Sequence, residues 1–251
     1  MAATGLVLSA TVACDGGALL RQYEYEEEMY LTLDGKATVY VNSSIAALNG
    51  LRGTSFDASP NAPVDRNAVR EYFTTPITHV TGSVGTSRRN NRRFVHVRVD
   101  VDDVRRLNEA VPFAWSTCSF MQDGNLFVYR QDVGAPAGNG SGAPNWTGQE
   151  LVAFRLHLPS KIRFHNAGEG NLRRGNILVW EQTLQDRLGG APVVLEARMD
   201  NESILYRTLY LFGVTFAAVA AMFVLIIWWV FRRGARQASD ARSPARRAQS
   251  L

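Results

Sequence analysis

Residues 22–42 read QYEYEEEMYLTLDGKATVYVN. Two β-rich runs flank Asp34-Gly35, a dipeptide suited to a tight turn between antiparallel strands. Two registers compete. A two-residue turn sets Leu31 opposite Thr38 and Leu33 opposite Lys36. A three-residue loop, Leu33-Asp34-Gly35 with Gly35 in the left-handed region, pairs Leu31 with Ala37 and Met29 with Val39. It also sets Tyr30 and Thr32 opposite Thr38 and Lys36. The second register gives one apolar face and one polar face, and is the one expected.

The same reasoning extends downstream. Ser43–Leu51 predicts a short helix. Asp65–Thr74 predicts another, with Asp65 as N-cap and an apolar stripe of Val69, Tyr72 and Phe73. Ile77–Val84 and Arg93–Val101 predict strands joined by a hairpin tip over Ser87–Arg92. In the second of these Val95, Val97, Val99 and Val101 share one face. Asp102–Val111 predicts a third helix, limited by Pro112. Phe113–Met121 and Asn125–Val133 predict a further hairpin. Residues 134–148, GAPAGNGSGAPNWTG, predict a flexible loop. Leu151–Leu158 alternates as a strand. Ile162–Asn166 and Gly175–Gln182 are expected to pair with each other, and Val193–Met199 is the last strand. The expected fold is α+β, a mainly antiparallel sheet domain over 21–200 with a few short helices, followed by one C-terminal transmembrane helix.

That helix is Leu209–Phe231, LYLFGVTFAAVAAMFVLIIWWVF, without a charge. Its length as a helix is about 35 Å against roughly 30 Å of bilayer hydrocarbon. Tyr206 and Tyr210 stand at one expected interface, Trp228 and Trp229 at the other. Gly213, Ala217 and Ala221 fall four apart, a spacing that lets helices approach. The tail after Phe231 holds six arginines, including Arg232 and Arg233, against Asp240 alone. It therefore carries +5 of a total of +4, leaving −1 for residues 1–231. The basic character is a positive-inside signal for a cytoplasmic tail (232–251) and an extracytoplasmic domain, and not a nucleic-acid signal. The absence of charge within the span points to an anchor and not to a transport pathway.

Residues 1–14 end in Thr11-Val12-Ala13-Cys14, a lipobox-like run in which Cys14 would be lipidated. A plain secretory signal or an unprocessed apolar N-terminus stands beside that reading. Cys14 and Cys118 could instead form one bridge, and two cysteines make neither a disulfide framework nor a zinc site.

The chain carries no H-E-x-x-H, C-x-x-C, G-x-S-x-G or P-loop motif, so the reading is non-enzymatic, without metal or cofactor. His96 and His157 alternate onto the face shared with Arg98 and Arg155, a wet sheet face. The run Glu24, Glu26, Glu27, Glu28 reads as a solvated strand start that discourages edge pairing. Arg88, Arg89, Arg92 and Arg93 flank one turn, and Arg173 and Arg174 occupy another. Guanidinium forks suit phosphate, so both tips are candidates for anionic head groups, against the alternative of tips kept soluble by charge.

Leu158-Pro159-Ser160-Lys161-Ile162, a turn, Gly175-Asn176-Ile177-Leu178-Val179-Trp180 and a final membrane helix together resemble the LppM-like family. These are bacterial envelope proteins, often lipoproteins, with a β-rich extracytoplasmic domain and a C-terminal span. The family signature runs Pro-Gly-Lys and later Gly-Asn-x-Val-x-Trp. Here Ser160 replaces the glycine, and Ile177 and Leu178 take the place of Val or Thr. The resemblance implies an envelope location and binding of lipid or glycolipid, and brings no catalytic residue. The expected partners are the cell membrane, lipid or glycolipid, or a membrane-protein complex that the chain would serve as an accessory subunit.

Overall fold

A computed structural model describes residues 21–138, 146–168, 172–173 and 175–247. The side chains of Leu172 and Arg173, and those beyond Arg233, are outside that description, as are Cys14 and Arg174. The chain forms two units, one ending at Asn201 and the other beginning at Glu202.

The hairpin that opens the first unit has the expected register. β1 (Tyr23–Leu31) and β2 (Ala37–Ser44) pair antiparallel with Leu31 opposite Ala37 and Met29 opposite Val39. Gly35 takes φ 89°, a conformation that costs an L side chain about 1–2 kcal/mol. Thr32 closes the loop by donating its N–H to Lys36 O.

β2 runs into α1 (Ile45–Arg52), capped by Ser44 Oγ on the Ala47 N–H and ended by Gly53 at φ 70°. α2 (Arg66–Phe73) starts at Asp65, whose carboxylate accepts from the N–H groups of Asn67 and Ala68. The predicted strand 77–84 is two strands, β3 (Thr78–Val80) and β4 (Gly85–Arg89). Gly82 at φ 74° breaks it, and Arg70 holds the break by donating to Val80 O and Gly82 O. β5 (Arg92–Val101) returns through Asn90 and Asn91, both at positive φ, as a two-residue turn of the primed kind requires.

The predicted helix 102–111 is a 3-10 segment over Val104–Glu109. Its buried residues are Val104, Leu107 and then Ala110, a spacing of three that fits three residues per turn. A second such turn, Val111–Phe113, takes the start of the next predicted strand, so β6 spans Ser116–Asp123. β7 (Leu126–Val133), β8 (Leu151–His157), β9 (Ser160–His165), β10 (Leu172–Arg173), β11 (Ile177–Thr183), α3 (Leu184–Leu188) and β12 (Val193–Ser203) complete the unit.

One sheet has the order β10-β11-β8-β1-β2-β5-β3, with β4 also on β5; the other is β6-β7-β12-β9. β1 and β8 pair in parallel at the centre of an otherwise antiparallel sheet. The expected pairing of 162–166 with 175–182 does not form. β11 pairs with β8, and β9 has moved to the second sheet beside β12. The sheet change falls at Leu158-Pro159, where proline has no N–H for a ladder. Asn166 N–H to Glu196 O and the Arg163–Asp200 ion pair at 2.6 Å hold β9 in place.

The apolar faces meet in one core. Val95, Val97, Val99 and Val101 are buried as expected, with Phe154 and Leu156 of β8 and Tyr129 and Ala197 of the second sheet. Each of these valine, leucine and phenylalanine side chains removed from water contributes about 1.5–3 kcal/mol.

The second unit contains α4 (Ile204–Arg247). Within Ile204–Arg233 an 18-residue window has a mean hydropathy of 2.5 and none of it is buried, so the stretch is long and apolar enough to cross a membrane.

Because only backbone conformation requires glycine at position 35, Gly35→Ala should lower stability by about 1–2 kcal/mol. Lys36→Ala next to it should stay within about 0.5 kcal/mol. Urea unfolding of the detergent-solubilised chain, followed by tryptophan fluorescence, makes the comparison.

Candidate functional site

Core-facing positions of β1 are Tyr25, Glu27, Met29 and Leu31, so the sheet's central strand places a carboxylate in the apolar interior. Glu27 is 2 % exposed, and its partner is Arg52, whose Nη2 lies 2.6 Å from Oε2. Arg52 is the last residue of α1, on the same face as Ile45 and Leu48, and α1 thus carries a cation into the core. The Tyr25 hydroxyl accepts from Arg52 and donates to Glu27 at 2.9 Å. Burial pushes its pKa well up, so it stays protonated. Gln131 donates to Glu27 Oε1 at 3.3 Å and accepts from Tyr129 at 2.8 Å.

Trp115 is the hinge of this cluster. The Arg52 guanidinium lies 3.9 Å from its ring centroid. A second buried arginine, Arg187 of α3, lies 5.4 Å from the same ring. Arg187 is fully buried and donates to the carbonyls of Val133 and Gly134. Desolvation, with the Arg52 charge added, lowers its pKa, yet a guanidinium stays protonated in proteins. Two buried cations thus face one buried anion, Glu27.

A pocket of about 210 Å³ opens against this cluster, lined by Arg52, Val111, Pro112, Ala114, Trp115, Ala135 and Ala137. Sites for drug-sized ligands run roughly 300–1,000 Å³, so this one suits a small group or the end of a larger molecule. Its outer wall is the start of the Gly/Pro-rich loop. Ala137 N–H caps the C-terminus of α1 by donating to Leu51 O at 3.0 Å. Gly138 has no room for a Cβ, which would stand 2.3 Å from Asn49 O.

The predicted arginine tips lie elsewhere, and apart. The β4–β5 turn sits at the β1 start: Arg89 donates to Tyr23 O, and Arg92 Nε lies 3.3 Å from Glu24 Oε1. Arg173 is opposite Ile177, which is opposite His157, which is opposite Tyr30. That is the opposite end of β1 from the β4–β5 turn. Arg92 also reaches Glu150 at 3.4 Å, Arg93 donates to Pro60 O at 3.0 Å, and Arg88 to Asn91 at 2.5 Å. These bonds tie the turn to its surroundings.

The acidic run is no solvated edge. β1 is central, Glu24 and Glu27 are buried, Glu26 pairs with Arg155 at 2.8 Å and Glu28 with His157 at 2.6 Å. The His157 hydrogen bond lowers the Glu28 pKa. Burial raises that of Glu26 against the pull of Arg155. On the same outer face His96 stands 2.8 Å from Ser87 Oγ and 2.9 Å from Asn42 Oδ1. Desolvation and then the Arg89 charge push its pKa below the ordinary 6.5. These three exposed side chains satisfy one another. Cys118 is free, its thiol pushed up to about 12 by burial.

Sequence reasoning missed Glu27, Arg52, Trp115 and Arg187 as a group. A signal was present. Glu27 shares the parity of Met29 and Leu31 on a strand, and Arg52 follows Leu48 by four on a helix, so each is a charge on an apolar face.

No family model matches the chain, and no curated protein sequence does. Among solved structures, the NMR structure of the folded domain of the Mycobacterium tuberculosis LppM protein matches with a TM-score of 0.39 and 11% sequence identity. The match covers 72% of this chain and 92% of that one. This is a weak structural relation.

Glu27→Gln leaves Arg52 charged and buried without its carboxylate, and should cost about 3–5 kcal/mol. Replacing the pair together, Glu27→Leu with Arg52→Met, should recover much of that loss in the same unfolding measurement.

Acid should act through Glu150. Burial favours its neutral form, but the N–H groups of Thr147 and Gly148 and the Arg92 charge outweigh this and hold its pKa below 4.5. A depressed folded-state pKa contributes stability that is complete above the unfolded value and lost as pH falls through the folded one. The stability gap between the native chain and Glu150→Gln should therefore be full at pH 7 and shrink below about pH 4.5.

Proposed function

We propose that this protein is a single-pass protein of a bacterial cell membrane. Its β-rich domain stands outside the cytoplasm as a non-catalytic binding module for lipid or glycolipid. The observation that carries this reading is the helix Ile204–Arg233, whose apolar window is unburied and whose stretch Leu209–Phe231 carries no charge. A soluble chain would gain about 25 cal/mol for each Å² of that surface it covered, so an uncovered apolar helix of this length calls for lipid as its solvent.

The end of the helix supports the anchor and its direction. Arg232 lies 4.9 Å from the Trp228 ring and Arg233 5.1 Å from that of Trp229. Each pair is four residues apart, one turn of helix, so the aromatic rings and cations stack where an interface would place both. The remaining tail arginines add to the same side. Towards the other end, Leu209 and Gly213 are free of charge, as are Ala217 and Ala221 further on.

Protease accessibility tests the reading. In spheroplasts making the chain with a C-terminal tag, external protease should remove the β-rich domain and spare the tag. The chain should also stay with membranes after alkaline carbonate washing. Release by carbonate would reject the anchor, and a protected domain with a cleaved tag would reject the orientation.

A further inference from the structure

We infer that the pocket beside Arg52 and Trp115 binds an anionic group, a carboxylate or a phosphate, either free or at the head of a small amphiphile. This rests on reading the domain as a binding module and not on the helix crossing a membrane.

Unsatisfied hydrogen-bonding capacity points to that chemistry. Among the described residues, Arg52 Nε, Trp115 Nε1 and Arg187 Nε are buried donors without a partner. Two of the three belong to residues that line the pocket. All three are donors, and neither arginine can become an acceptor by losing its proton. A group that only accepts is their complement.

Charge points the same way. Arg52 and Arg187 are both buried, Glu27 is the carboxylate paired with Arg52, and Arg187 meets only backbone carbonyls in its hydrogen bonds. Among the described residues, one positive charge in the cluster lacks a counter-charge, and a buried unpaired charge is costly until an opposite one approaches. Both guanidinium groups lie over the Trp115 ring, at 3.9 Å and 5.4 Å from its centroid. Arg52 lines the pocket with its side chain 1% exposed, so an anion there would lie within the field of both guanidinium groups.

The walls limit what carries the anion. Val111, Pro112, Ala114, Ala135 and Ala137 offer methyl and methylene surface. Val111 is 69% exposed and stands at the rim, where a longer molecule would leave the pocket. A volume of about 210 Å³ admits a head group or a short chain and leaves the rest of a lipid outside.

The test uses the full chain in a non-ionic detergent and reads its melting temperature. The probes are inorganic phosphate, octanoate and dihexanoyl phosphatidic acid, each against sodium chloride of equal ionic strength. Ligand at tenfold its Kd should raise Tm by a few degrees, saturably. Val111→Glu places a negative charge at the rim of the pocket and should abolish the rise. Val111→Gln, of nearly the same shape, should keep it. A rise with phosphate alone assigns a free anion, and one confined to phosphatidic acid or octanoate assigns an amphiphile head; both support the site. No saturable rise above the salt control with any probe overturns the inference, as does a rise that survives unchanged in Val111→Glu. Neither result bears on the membrane anchor, which protease accessibility decides separately.

Discussion

The buried pair Glu27–Arg52 is the constraint on which the interior is arranged. At an effective dielectric of ~20, two charges at hydrogen-bond distance attract by roughly 5 kcal/mol. Desolvating each ion costs several kcal/mol, so the pair adds little net stability but penalises any arrangement that separates it. A one-residue slip of β1 would bring Glu26 or Glu28 to Arg52 in place of Glu27 but would turn Tyr25, Met29 and Leu31 to the outer face. Gln131 of the second sheet donates to the other oxygen of Glu27, so the same carboxylate ties sheet, helix and opposing sheet.

The cluster also explains the shape of the pocket. Arg52 needs a carbonyl for Nη1 and finds it at Pro112, which brings the Val111–Phe113 turn over the end of α1. Trp115 then covers the guanidinium, and the chain after β7 returns along α1, where Gly138 permits backbone contact. The pocket is the space these three segments leave. The outer face of the same sheet follows a different rule. There Glu26, Glu28, His96 and Asn42 pair with side chains on neighbouring strands. The two faces differ in consequence: on the inner side, among the described residues, Arg52 Nε and Trp115 Nε1 are buried donors without a partner, and both residues line a pocket.

Much of the fold is legible along the chain. The register of β1 and β2 follows from alternation and from the need for a left-handed residue at Gly35, both properties of a few adjacent residues. The α2 cap at Asp65 and the hairpin over Asn90-Asn91 are local in the same sense. The failures are equally specific. The helix expected over Asp102–Val111 puts Val104, Leu107 and Val111 on one stripe. Val111 is instead 69% exposed and Ala110 is buried in its place, the spacing of a 3-10 turn, while Val104 N–H donates to Gly35 O of the hairpin loop. The acidic run of β1 looks solvated because acids generally are. That β1 is central, between β8 and β2, depends on a parallel pairing with a strand more than a hundred residues on.

By itself the sequence determined the α+β class, the opening hairpin's register, the charge asymmetry of the tail and the presence of one stretch apolar enough to span a bilayer. Each is set by periodicity, turn chemistry or composition within a short window. Only the tertiary structure decided that β9 leaves its neighbours for the second sheet, that the two arginine tips lie at opposite ends, and that Glu27, Arg52, Trp115 and Arg187 meet beside a pocket. Those outcomes depend on which layers face each other. Partners such as Glu27 and Gln131 stand 104 residues apart, and no local pattern encodes their distance in space.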